Sequence, residues 1–69
     1  MKQITIEKLK PGDQIFAFDW SLQKWIKCKV NQIEKYVITL ENIEGNLKGF
    51  VFYEMPETLT NPDYYKQAG

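Results

Sequence analysis

The side chains able to do covalent or acid–base chemistry are few in this chain, and none has a partner at a useful spacing. There is no histidine, one cysteine and one serine. Catalysis needs a nucleophile beside a base, a pair of carboxylates, or a metal. Cys28, in "KWIKCKV", falls on the apolar phase of an alternating strand, so a buried structural thiol is expected there. Ser21 sits in a turn. Asp13 and Asp19 share a strand but lie roughly 20 Å apart by strand rise, too far for one proton to be shared. Asp13 fits the "KPGD" turn as its side-chain cap, and Glu41 and Glu44 flank another turn as solvated charge. A lone thiol without imidazole makes no zinc site. No glycine-rich phosphate loop or calcium-loop spacing occurs. The expectation is a non-enzymatic protein with no cofactor and no metal.

Binding chemistry is better represented. "GDQIFAFDWSLQKWIKCKV" places Phe16, Phe18, Trp20 and Trp25 among Lys24, Lys27 and Lys29. Rings interleaved with ammonium groups suit single-stranded nucleic acid, with bases stacking and phosphates meeting lysine. The same rings suit a protein interface, where tryptophan and tyrosine concentrate binding energy. Charge weighs against the first choice. The net charge is zero, so the counterion-release term that drives nucleic-acid binding has only a local source. Residues 1–35 carry seven lysines and four acids, and residues 36–69 carry two lysines and five acids, a split of +3 against −3. All nine basic residues are lysine. Arginine, the better reader of phosphates and guanine edges, is absent.

The elements that must hold these side chains are short strands. "QITI", 3–6, alternates like a half-buried strand. "KPGD" supplies the Pro-Gly centre of a type II turn. Residues 14–20 and 24–35 alternate as a hairpin, and "YVITLEN", 36–42, is a third strand rich in β-branched residues. "IEGN" makes the next turn, and "LKGFVFYEM", 47–55, reads as a fourth strand in which Gly49 marks a bulge or a barrel corner. After Pro56, "PETL" reads as one 3₁₀ turn that folds Leu59 back onto the core. "NPDYYKQAG" reads as a short helix or tail, with Asn61 as N-cap, Pro62 in the first turn and Gly69 as terminator. Four or five antiparallel strands in so few residues indicate a small barrel over 1–60, followed by a C-terminal tail, 61–69.

"GDQIFAFD" followed by "KWIKCKV" resembles the opening of Tudor-like domains among the SH3-like barrels, over Gly12 to about Val30. KOW-type barrels share the pattern, and a similar Pro-Gly-Asp strand begins the much longer Hint domains. The resemblance implies an all-β SH3-like barrel. It also implies a ligand site, because Tudor domains hold methylated lysine or arginine in an aromatic cage. Two cage positions would fall here on Asp19 and Ile26. An acid suits a cation or peptide contact, whereas isoleucine adds no ring face.

Strand alternation divides the hairpin into two faces. With a loop over Ser21–Lys24, Trp20 opposes Trp25 and Asp19 opposes Ile26. Ile15, Ala17, Ile26, Cys28 and Val30 then form the core face. Phe16, Phe18, Trp20, Trp25, Lys27 and Lys29 form the other, the expected binding face. Its rings are expected to meet a protein partner or a second copy in a homodimer, or to lie under the N-terminal strand or Tyr64 and Tyr65 as a second core. A small domain buries only about 60% of its unfolded surface, so either cover adds needed stability. The expected function is a binding module for protein association. Weak nucleic-acid binding through Lys24, Lys27 and Lys29 and a Tudor-like peptide reader using Asp19 are the alternatives. No apolar run is long enough for a membrane span, "MKQITIEKLK" has no apolar stretch of signal-peptide length, and the unpaired cysteine suits a reducing cytosol, the expected location.

Overall fold

A computed structural model describes residues 3–68. It is all-β: a 3₁₀ turn over Ile6–Lys8, strands β1 (Gln14–Asp19), β2 (Lys24–Ile33), β3 (Ile38–Asn42) and β4 (Val51–Glu54), a helical turn α1 (Pro56–Leu59), and β5 (Tyr65–Gln67). The five strands form one antiparallel sheet in the order β4-β3-β2-β1-β5. The sheet curls but does not close as a barrel: β4 and β5 are its two ends. A side-chain link crosses the gap instead. The Tyr65 hydroxyl donates to Glu54 Oε2 at 2.6 Å.

Turn chemistry sets the boundaries. Gly12 takes φ 95°, the left-handed value a Pro-Gly turn requires at its second central residue, and Asp13 N–H closes the turn onto Lys10 O at 3.1 Å. Asp13 Oδ2 accepts the Lys10 N–H at 2.9 Å, so this carboxylate caps the turn as expected. Gly49 also has positive φ, 91°. Its N–H donates to Asn42 O while Asn42 N–H donates to Phe50 O, which sets Gly49 and Phe50 together opposite one residue. That is a glycine bulge. It shortens the fourth strand from the expected 47–55 to Val51–Glu54, because residues 45–49 are spent in turns. A second irregularity lies in β2, where the pairing moves from Val30↔Leu40 to Gln32↔Thr39 and leaves Asn31 without an opposite. Such an extra residue bends a long strand and lets β2 serve both halves of the curl.

The core is Ile4, Ile15, Cys28, Val30, Ile38, Leu40, Leu59 and Tyr65, with Ala17, Ile33 and Phe52 packed against it. Leu59 folds back from α1 and is fully buried, as the sequence suggested, although "PETL" makes an α-helical rather than a 3₁₀ turn. Two terminal expectations need correcting. "QITI" is not a strand: Ile4 plugs the core from an irregular segment that runs into the 3₁₀ turn. The tail is not a helix. Asn61 does begin one turn, accepting from Asp63 N–H on Oδ1 and from Tyr64 and Tyr65 N–H on its carbonyl. Tyr65 then enters β5, which pairs with β1 through Ile15↔Gln67, Phe16↔Lys66 and Ala17↔Tyr65. A ladder with β1 and burial of Tyr65 outweigh the weak local preference of so short a helix. Gly69, expected as a helix terminator, lies outside the described residues.

The hairpin register also differs. The pairs are Asp19↔Lys24, Phe18↔Trp25, Ala17↔Ile26, Phe16↔Lys27, Ile15↔Cys28 and Gln14↔Lys29, so the loop spans 20–23 and Trp20 does not oppose Trp25. Every pair is displaced by two residues from the expected register. Since side chains alternate with period two, the assignment of strand residues to faces is unchanged.

Candidate functional site

The outer face of β1, β2 and β5 carries Phe16, Phe18, Trp25, Lys27, Lys29 and Lys66. Directly opposed residues share a face, so Phe16 stands between Lys27 on β2 and Lys66 on β5. The Lys27 and Lys66 ammonium groups lie 5.7 and 5.5 Å from the Phe16 ring centre. Lys66 also lies 4.1 Å from the Trp25 ring centre. These contacts are attractive because the ring face is negative. Lys29 pairs instead with Glu41 at 4.0 Å. The hairpin rings are therefore covered, in part, by the protein's own cations. Lys66 of β5 supplies two of those contacts, a role that a helical reading of 61–69 concealed.

Trp20 behaves differently. It leaves the strand at the loop, where Asp19 Oδ1 accepts Leu22 N–H at 3.1 Å and the Gln23 amide donates to Trp20 O at 2.8 Å. Gln23 holds the left-handed conformation, φ 54°, that ends the loop. So anchored, the Trp20 ring packs edge-on against Phe18 (4.7 Å) and Tyr64 (6.0 Å). It remains 57% exposed. Phe18 connects the two regions, since its other contact is Trp25 at 5.2 Å.

Beside Trp20 is a cleft of about 420 Å³ at the end of the gap between β4 and β5. Its lining includes Ala17, Ile26 and Tyr65 together with Phe18, Trp20, Leu47, Phe50 and Phe52. Phe50 and Phe52 stack with centres 6.1 Å apart. Leu47 and Phe50 are 56% and 53% exposed. Its polar side-chain groups are those of Asp19, Ser21 and Asn42 and the Tyr65 hydroxyl, which is bonded to Glu54. Of the residues expected to bind, Phe18, Trp20 and Asp19 line this cleft, whereas Phe16, Trp25, Lys27 and Lys29 do not. Ile26, named with Asp19 by the Tudor-like resemblance, lines it too. Leu47, Phe50 and Phe52 were absent from the expected site. Their signal was the aromatic run "GFVFY", read only as a strand.

Several other polar groups are tied into the fold. Cys28 is fully buried, its thiol facing Asn42 Oδ1 at 3.2 Å. Burial pushes its pKa up to about 11, and the negative charge of Glu44 adds to the rise. Glu44 is not merely solvated charge: its Oε1 accepts the Lys27 N–H at 2.8 Å and ties the 43–49 turn region to β2. Burial likewise raises the pKa of Tyr65, with its hydrogen bond to Glu54 as the second cause. Among the described residues no group of His, Cys, Asp and Glu gathers to hold a metal ion, and no helix is long and apolar enough to cross a membrane. No family model, curated protein or solved structure matches the chain.

Proposed function

We propose that this protein is a non-enzymatic association module that seats an apolar segment of a protein partner in the cleft between Trp20 and Phe50. The observation carrying the reading is the exposure of Trp20, Leu47 and Phe50 around one concave, mostly apolar site. Such sites are where ligands bury surface most efficiently, and aromatic anchors carry most of an interface's energy. An SH3-like barrel, left open along one seam, is the fold in which we place this site. Support comes from the antiparallel strand set, the bulged long β2 and the helical turn before β5. Residence in a reducing cytosol belongs to the same proposal, supported by the lone buried thiol of Cys28.

A Tudor-like peptide reader is the second reading, favoured by Asp19 lining the cleft together with the rings of Phe18, Trp20, Phe50 and Phe52. Nucleic-acid binding has weaker support, because Lys27 and Lys66 already occupy ring faces that bases would need. Selection of peptides from a displayed random library tests these alternatives. Enrichment of apolar or aromatic motifs, weakened about tenfold by Trp20→Ala, supports the first reading. Enrichment of lysine or arginine motifs that Asp19→Asn abolishes supports the second. Failure to enrich any motif that Trp20→Ala weakens or Asp19→Asn abolishes sinks both.

A further inference from the structure

The two ends of the sheet differ in how they are protected. β5 is three residues long, carries Lys66, and has its Gln67 amide bonded to Gln3 O at 3.1 Å, so the N-terminal segment lies against it. Short length, lysine and a covering segment are common ways to blunt a sheet edge. β4 is nearly as short, at four residues, but lacks the lysine. Val51–Glu54 contains no lysine and no proline, and its bulge precedes it at Gly49–Phe50. Among the described residues it pairs with β3 alone.

Which backbone groups are free follows from the ladder. Asn42 N–H donates to Phe50 O, so Phe50 turns its carbonyl toward β3. Alternation along an antiparallel strand then turns Phe52 toward β3 as well, and turns Val51 and Tyr53 outward. Both side chains at these outward positions are exposed, Tyr53 to 70%. The next outward N–H, that of Met55, is already bonded to Glu54 Oε1 at 3.1 Å, which limits the free edge to Val51–Tyr53.

We infer that this edge pairs with the β4 edge of a second copy, antiparallel about a two-fold axis at Phe52. The inference goes beyond the association reading and uses a different surface from the cleft. In this register Val51 opposes Tyr53 of the other copy, and the two pairs exchange four backbone hydrogen bonds. On the outer face each pair joins a β-branched residue to an aromatic, a favourable cross-strand combination. Charge is compatible too: Glu54 opposes Phe50 of the other copy, so no like charges meet. A two-fold contact is self-limiting and yields a dimer rather than a fibre. It also adds burial to a chain too short to bury much alone.

Light scattering across micromolar to millimolar concentration tests the inference. The mass should rise to twice that of the monomer, and Val51→Lys should return it to the monomer while Trp20→Ala leaves it unchanged. Oxidation of an equimolar mixture of V51C and Y53C proteins should give mainly the mixed disulfide, because those positions oppose each other. A monomer throughout, a dimer indifferent to Val51→Lys, or a dimer broken by Trp20→Ala overturns it. If the protein is monomeric yet its cleft selects peptides, this inference falls and the association reading stands. If the dimer forms by β4 while no peptide is selected, the reverse holds.

Discussion

The outer ladder and the cleft hold similar rings in opposite circumstances. Phe16 and Trp25 lie on regular strands, where opposed residues on β2 and β5 bring lysines over them. Trp20 and Phe50 lie just beyond strand ends, and although Trp20 touches Phe18 and Tyr64 and Phe50 stacks on Phe52, both remain more than half exposed. The difference shows that ring content alone does not tell which rings of a small β protein stay exposed. What matters is whether an opposed side chain covers the ring, as Lys27 and Lys66 do for Phe16 and Trp25.

The core sets the scale for testing this contrast. Leu59→Ala removes a fully buried side chain that docks α1 across the gap, and should cost about 2–5 kcal/mol in urea unfolding. A loss below about 1 kcal/mol would mean α1 is not seated, and the cleft lining at Tyr65 would then be poorly defined. Phe50→Ser should separate binding from folding. Its stability should change by about 0.5 kcal/mol or less, while affinity for a selected peptide falls about tenfold, some 1.4 kcal/mol. Equal loss of both would make Phe50 a packing residue and erase the contrast.

The ladder should give the mirror image. Lys66→Met keeps most of the chain's apolar stem and removes the cation from two rings, so it should cost about 0.5–1 kcal/mol of stability. Peptide affinity should be unaffected; a fall in affinity would place the ladder in the site. The smallest effect concerns the thiol under both regions. Cys28 has its folded-state pKa raised from 9.0 to about 11, so burial favours the neutral form. The stability this gives is fully present below pH 9 and is lost as pH rises through 11. Chemical denaturation at pH 8 and above should show the decline. Cys28→Val should flatten its first part, leaving the later fall that the raised pKa of Tyr65 also causes. A decline unchanged by Cys28→Val would show that the thiol titrates normally.

Much of the fold was readable from alternation and turn residues. Ile15, Cys28 and Val30 were expected inside and are buried, and the Pro11–Gly12 turn, the Gly49 bulge and the return of Leu59 all have local signatures. The hairpin register was not readable, because a slip of two residues preserves both faces and leaves the pattern the same. β5 was hidden for a different reason. "NPDYY" carries real helix-start chemistry at Asn61, and nothing local reports that β1 has a free edge for Tyr65–Gln67.

The candidate site divides along the same line. By itself the sequence determined what the chain can do chemically: many rings, many lysines, no histidine and one thiol, together with the strand phase that sorts side chains between faces. These depend only on composition and on the two-residue period of an extended backbone. Tertiary structure alone decided which rings remain available. It brought Lys66 over Trp25 from forty-one positions away and set Phe50 and Phe52 in one cleft with Trp20. Those approaches are set by how the sheet curls and by which strand ends meet across its gap, and no short-range pattern encodes either.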